Sequence, residues 1–212
     1  MIFSEFIYKL EKRLQNPLPG KKAQLLMGSD IRMKDFVFKQ KDDKSKKSGV
    51  MILLYPYNDC VYSTFIKRTE YNGTHSGQIA LPGGKYETCD KNLIDTALRE
   101  TSEEIGIDSS KIKILGQLSE LFIPPSNYII YPSVGYLNSK PFFIPEKREV
   151  EKIIEYNIFD LLKEATIKTK EFKIFTGLTF NAPYFDINNH VVWGATAMIM
   201  SEFVEILKEI CN

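Results

Sequence analysis

At Asn92 the spacing of the apolar residues changes from a strand-like to a helical period, and that change limits which folds the chain can adopt. Upstream, Val50–Tyr57 and Val61–Lys67 are β-rich runs separated by Asn58 and Asp59, residue types that a hairpin turn favours. From Asn92 onward Leu93, Ile94, Ala97, Leu98, Thr101 and Ile105 fall on one helical face, and Gly106 supplies a C-terminal stop. Further strands are expected in KIKILGQLSEL, YIIYPSVGYL and VEKIIEYNI, with a short helix near FDLLKEA and a last helix from Met198 to Ile210. Phe3, Phe6, Ile7, Leu10 and Leu14 make an amphipathic leading helix that stops before Pro17 and Pro19. Strands and helices interleave without an internal repeat, which predicts one mixed α/β domain over residues 1–212. Residues 1–49 are a helix and loop elaboration of it, and the polar run KQKDDKSKKSG from Lys39 reads as a solvated loop.

Composition removes several alternatives. The 212 residues suit one elaborated domain at about 150 residues per domain. A hydrophobic fraction of 43% with 12 Gly and 10 Pro excludes a wholly disordered or collagen-like chain. The longest apolar stretch runs only from Val50 to Tyr57, far short of the roughly 20 residues that span a bilayer. Glu5, Lys9, Glu11 and Lys12 interrupt the apolar windows at the start, so neither a membrane span nor a secretory leader is expected, and a cytoplasmic location is. Cys60, Cys89 and Cys211 are odd in number and lack CxxC spacing, which predicts free thiols. His75 and His190 are too few for a His-rich zinc site, so any metal should be oxygen-ligated. A net charge of +1 gives no global field for nucleic acid, and an anionic partner has to be recognised locally.

The second half of the central helix reads RETSEEIG and sets Glu100, Glu103 and Glu104 at i, i+3 and i+4, within one arc of about 80–100° beside the apolar stripe. Acids in a last helical turn oppose the dipole by about 0.3–1 kcal/mol each, and each like-charge pair costs a few tenths more. Arg99, four residues from both Asp95 and Glu103, relieves part of this; a divalent cation would relieve the rest. Taken alone, the helix reads more readily as a solvated acidic face. Upstream, HSGQIALPGGKYE contains a β-like run that stops at Leu81 and Pro82, after which Gly83 and Gly84 let the backbone turn closely. A glycine loop facing carboxylates suits Mg²⁺ shared with phosphate oxygens.

The segment GGKYETCDKNLIDTALRETSEEIGI, residues 83–107, resembles the Nudix box, G-x5-E-x7-R-E-U-x-E-E-x-G-U with U aliphatic. The match is closest at RE..EE.G; Gly84 lies one residue further from Arg99 than in the general pattern, Lys91 stands at the isolated Glu, and Thr101 takes a U position. The longer loop is similar to that of the coenzyme A pyrophosphatase branch. The second motif of that branch resembles TFIKRTEYNGTHSGQIALPGG, matching at Arg68, Gly77, Pro82, Gly83 and Gly84, with Leu81 for Phe, Thr69 for Ser or Ala, and Gly73 for the second Arg.

The resemblance implies a Nudix fold, a mixed β-sheet sandwiched between helices with an added N-terminal helix. It also implies metal-dependent hydrolysis of a diphosphate, with coenzyme A or acyl-coenzyme A cut to 3′,5′-ADP and (acyl-)4′-phosphopantetheine. Glu100, Glu103, Glu104 and the Gly84 carbonyl would hold Mg²⁺ or Mn²⁺; Arg99, Glu100 and Glu103 would serve catalysis; Arg68, Gly83 and Gly84 would meet substrate. Glu100 and Glu103 are both candidates for the general base, with Glu149 and Glu171 as unassigned alternatives. Gly73 keeps hydrolysis of ADP-ribose or another nucleotide open, and a non-catalytic nucleotide-binding regulator is the alternative of a different class. The expected partner is a small nucleotide, not nucleic acid or membrane. A homodimer is expected, although periodicity leaves open whether the leading helix packs within one subunit or across two. Trp193 reads as a packing residue, His75 as a loop hydrogen-bonding residue, and Ser126, Asn127 and Tyr128 as a turn or a substrate loop.

Overall fold

The longest strand, β1 (Lys46–Tyr57), organises the main sheet of this computed structural model, which describes residues 2–29, 41–70, 76–173 and 179–211. Asn58 and Asp59 both adopt positive φ, 49° and 57°, and reverse the chain into β2 (Cys60–Arg68) through the two-residue turn expected for a tight hairpin. On its other side β1 pairs in parallel with β7 (Tyr128–Tyr136) over nine residue pairs. β5 (Lys113–Gln117) and β6 (Leu121–Ile123) both pair antiparallel with β7, and β8 (Val150–Asn157) pairs antiparallel with β2. β1 and β2 diverge beyond their hairpin. β3 (Ile79–Ala80) pairs with the end of β2 and β4 (Gly83–Lys85) with the start of β1, so residues 79–85 fill the fork between the two long strands.

One face of this sheet is covered by α3 (Leu93–Ile105). Asn92 caps its start by accepting from the N–H groups of Ile94 and Asp95, a device worth about 1 kcal/mol, and Gly106 ends it with φ 71°. Ala97 and Ile105 pack there on Met51, Leu53, Tyr55 and Ile66. The helix comes so close that a Cβ on Gly49 would lie 2.4 Å from the Leu93 carbonyl oxygen, so position 49 must be glycine. The opposite face holds α1 (Phe3–Leu14), α2 (Gly20–Leu25) and α4 (Gly194–Cys211) around Phe6, Leu10, Phe65, Met198 and Phe203. α1 therefore packs within its own chain, against α4 and β5. Buried Glu202 ties α2 to α4 by accepting from Gly20 N–H, Gln24 Nε2 and Ser119 N–H. The expected sheet between helices is present.

Several expectations need correction. Lys46–Gly49 belong to β1 and not to a loop, and Gly49 serves close helix packing. Gly83 and Gly84 lie in β4 and not in an open loop. KIKILGQLSEL splits into β5 and the start of β6, FDLLKEA forms two 3₁₀ turns at Ile158–Leu162 and Glu164–Thr166, and the last helix begins four residues before Met198. A second, three-stranded antiparallel sheet, β9 (Ile167–Lys173), β10 (Thr179–Ile187) and β11 (His190–Val192), was not expected at all. Half-buried Trp193 packs on that sheet, stacked on Phe172 at 4.3 Å, and not in the main core. Asn127, with φ 54°, makes a turn, donating its N–H to Pro124 O and accepting the Ser45 hydroxyl on Oδ1. Cys60, Cys89 and Cys211 are free thiols. Among the described residues no helix is long and apolar enough to cross a membrane.

Candidate active site

The fork between β1 and β2 brings the glycines under the end of α3. Gly83 N–H donates to Glu104 Oε2 at 2.8 Å, and Arg68 Nη2, from the last residue of β2, reaches both Gly83 O at 3.3 Å and Glu104 Oε1 at 3.4 Å. Glu104 is only 1% exposed. Burial pushes its carboxyl up to about 7, against the pull of Arg68 and the Gly83 N–H, while Glu100 and Glu149 push it further up.

Arg99 organises the other two acids. Its Nη1 donates to Glu100 Oε1 and to Glu103 Oε2, both at 3.0 Å. Its Nε and Nη2 grip Asp90 at 2.9 and 3.1 Å, and Nη2 also donates to Lys85 O at 2.9 Å. All five N–H groups that a guanidinium offers are thus committed. Asp90 is itself buried and further accepts from the Thr96 hydroxyl at 2.8 Å and from Glu87 N–H at 3.0 Å. The Arg99 hydrogen bonds hold the Asp90 carboxyl well below the usual carboxylate range, and Asp90 in turn holds the guanidinium charged.

Glu100 lies directly on the β4 backbone. A Cβ on Gly84 would sit 2.3 Å from the Glu100 carboxyl carbon, so the glycine leaves the cradle that this carboxylate occupies. Burial raises the Glu100 pKa; Arg99 opposes that rise, and Glu103 and Glu149 add to it. Glu103 is the exposed member of the set. Asp90, Glu100, Glu103, Glu104 and Glu149 thus confront two guanidinium groups, Arg68 and Arg99. Surplus negative charge on oxygen donors suits a hard divalent cation, so the residues fit Mg²⁺ or Mn²⁺. As they stand, no three carboxylate, imidazole or thiol groups among the described residues converge on a point that would hold an ion, because Glu103 is drawn to Arg99 and Glu104 to Gly83.

Arg68, Gly83, Gly84, Arg99, Glu100, Glu103 and Glu104 are therefore brought together. The Gly83 N–H, expected to be open to phosphate, is taken by Glu104. The partner of Arg99 is Asp90, not Asp95, and this residue was missed. Its signal was the departure at Lys91: the acid absent from the box pattern stands one residue earlier. Of the two late acids, Glu149 lies near the cluster. The turn before β8 is fastened by Glu146 N–H to Glu104 O and by Thr69 N–H to Glu149 O, and places the Glu149 carboxylate in the field of Glu100 and Glu104. Among the described residues its side chain has no cation or hydrogen-bond donor. Glu171 lies on exposed β9. Gly73 and His75 lie outside the described residues.

A family model described as NUDIX domain matches residues 46–186. The chain is 32% identical over 173 residues to Nudix hydrolase 15, mitochondrial, of Arabidopsis thaliana, covering 78% of this chain and 60% of that protein. It is 34% identical over 164 residues to Nudix hydrolase 22, chloroplastic, of the same plant, covering 74% and 54%. It thus spans little more than half the length of these two relatives. With the Nudix hydrolase NudL of Photorhabdus laumondii, a protein described as uncharacterized, identity is 32% over 62% of this chain and 70% of that one. The crystal structure of a MutT/nudix family protein from Enterococcus faecalis aligns with TM-score 0.51 at 15% identity over 92% of this chain and 76% of that one. The RenU Nudix hydrolase of M. smegmatis aligns with TM-score 0.52 at 11% identity over 79% and 86%. Both likenesses concern the fold alone. With the fold, the clustered acids of residues 83–107 and these relatives in agreement, the chain belongs to the Nudix family.

Proposed function

We propose that this protein hydrolyses a nucleoside diphosphate joined to a second moiety, with coenzyme A or an acyl-coenzyme A as substrate and 3′,5′-ADP and (acyl-)4′-phosphopantetheine as products. The observation that carries the reaction class is the single guanidinium of Arg99 holding Glu100 and Glu103 beside buried Glu104. Structural needs alone do not favour so many acids at one helix end. The extended spacing from Gly83 and Gly84 to Arg99, and Arg68 at the matching motif position, support the coenzyme A assignment.

Glu100, Glu103, Glu104 and the Gly84 carbonyl are the groups that would hold Mg²⁺ or Mn²⁺. Such a cation, when bound, neutralises phosphate charge and lowers the pKa of a bound water. The chain supplies the rest. Arg99 fixes the directions of Glu100 and Glu103, and Arg68 keeps guanidinium N–H groups beyond those given to Gly83 and Glu104, which meet a phosphate oxygen of the substrate. Glu149 accepts the proton of the attacking water as its oxygen bonds to phosphorus and the bridging P–O bond breaks. Glu100 and Glu103 already accept hydrogen bonds from Arg99, whereas the Glu149 carboxylate has no donor among the described residues.

Gly73 in place of the second motif Arg favours one further reading, ADP-ribose as substrate. Rates on coenzyme A and on ADP-ribose, with Mg²⁺ and with a chelator, separate the two. A Glu104→Gln variant that keeps the wild-type rate would overturn the site assignment.

A further inference from the structure

The two guanidinium groups of the site are held very differently. Arg99 commits every N–H to an acceptor at 2.9–3.1 Å. Arg68 is attached through one nitrogen: Nη2 is shared between Gly83 O at 3.3 Å and Glu104 Oε1 at 3.4 Å, and Nε and Nη1 have no partner among the described residues. Both contacts are longer than the usual N–H···O range of about 2.7–3.2 Å, so little is lost when they part. The Arg68 backbone is fixed, by its N–H on Gln78 O at 3.0 Å and by pairing with Val150. Only the side chain, 27% exposed, can swing. Glu104 presents the opposite case. Its buried carboxylate needs a cation beside it, and Arg68 is the cation that pairs with it. Glu104 Oε2 accepts from the Gly83 N–H at 2.8 Å, a donor that belongs to β4 and cannot withdraw without unpairing β4 from β1. Oε1 is therefore the oxygen that can pass to another cation, and its holder is the loosely attached guanidinium.

We infer that Arg68 is the exchangeable counter-ion of Glu104: a divalent cation takes its place there, and the released guanidinium turns, with Nη2 now free, to an anionic oxygen of the diphosphate. Arg68 and the divalent ion compete for one carboxylate oxygen, so the site takes its metal first and gains its full anion-binding group only afterwards. The inference rests on the diphosphate-hydrolase reading and deepens it by the order in which that site fills. Its consequence is a pair of opposite effects. Removing the Arg68 guanidinium strengthens metal binding, because a competitor is gone, and weakens substrate binding, because an anion partner is gone. A merely structural role for Arg68 would weaken both.

Metal binding decides it separately from turnover. Calorimetric Mg²⁺ affinities of wild type and Arg68→Gln are measured without substrate, in low salt and in about 0.5 M KCl. A pH of about 9 keeps Glu104, pushed up to about 7, in its ionised form. Arg68→Gln should bind Mg²⁺ about fivefold or more tightly than wild type. The gain should persist in the higher salt, because contact with a buried carboxylate is little screened. Arg68→Met, a second variant with its own side-chain packing, should show the same gain. Equal or weaker Mg²⁺ binding by these variants, or a gain that vanishes in salt and so reports only a general field, would overturn the exchange. The KM for coenzyme A is the second arm and should rise about fivefold or more in Arg68→Gln. An unchanged KM beside tighter Mg²⁺ binding would overturn the transfer of the guanidinium to substrate. Absence of Mg²⁺-dependent cleavage of coenzyme A by wild type would overturn the hydrolase reading and leaves the Mg²⁺ affinities to judge the exchange.

Discussion

Asp90 and Arg99 face each other through two hydrogen bonds of 2.9 and 3.1 Å, and this pair fixes the guanidinium from which Glu100 and Glu103 hang. Replacing Asp90 by Asn keeps the shape but removes the charge. The pair is buried on the Asp90 side and about one-fifth exposed on the Arg99 side, so a cost of about 1–3 kcal/mol is expected, below that of a fully buried pair. For a chain of this size that is a fall in Tm of several degrees in a thermal melt. The penalty should depend on pH. Because the folded pKa of Asp90 is depressed, its stabilisation is present above the unfolded value of about 4 and is lost as pH falls through the folded value. Wild type and Asp90→Asn should therefore differ most above about pH 5 and converge in acid. A gap that stays constant down to pH 2 would contradict the assignment.

Glu104 works in the opposite sense. Its folded pKa is raised to about 7, so its contribution to stability is present below the unfolded value near 4.3 and is lost as pH rises through 7. A Glu104→Gln variant retains an acceptor for the Gly83 N–H without the buried charge. It should melt at or above the wild-type temperature at pH 8, with the difference shrinking toward pH 5. Mg²⁺ should raise the wild-type Tm at pH 8 and leave that of the variant nearly unchanged.

Gly84→Ala places a methyl group where the Glu100 carboxylate lies. Glu100 has to leave the β4 backbone, and kcat should fall at least tenfold while the melt shifts little, because Glu100 is at the edge of the site and not in the core. Normal turnover in this variant would mean that the position of Glu100 on Gly84 is unimportant to the chemistry.

Glu149→Gln should lower kcat by about two orders of magnitude with little change in KM, the size of effect expected for a general base. A Glu149→Gln variant that keeps the wild-type kcat would mean that the proton goes elsewhere.

The parts of this site that were legible in the sequence are those that local spacing determines. Glu100, Glu103 and Glu104 share a helix face by period alone, and the Asn58–Asp59 turn specifies its hairpin. Asp90 was not legible because its value lies in a loop that folds back onto α3, with the Thr96 hydroxyl and the Glu87 N–H completing its shell. Glu149 was legible only as one of two late acids, Glu149 and Glu171, because β8 reaches the fork only by pairing with β2, more than eighty residues earlier in the chain. The small sheet escaped notice for another reason. β9 is exposed along most of its length and carries Lys168, Lys170 and Lys173, so it lacks the apolar alternation by which strands are recognised. Its best signal was Asn188 and Asn189, which reverse the chain with φ 52° and 64° between β10 and β11.

The central claim is metal-dependent cleavage of a diphosphate at the Arg99–Glu100–Glu103–Glu104 cluster. The most direct measurement is mass spectrometry of the products formed from coenzyme A and from ADP-ribose by wild type and Glu104→Gln, with Mg²⁺ or with chelator. Chelator-sensitive 3′,5′-ADP from coenzyme A, formed by wild type and not by Glu104→Gln, is the predicted result. Coenzyme A and ADP-ribose both left intact by the Mg²⁺-loaded wild type, or products formed equally by Glu104→Gln, would contradict it.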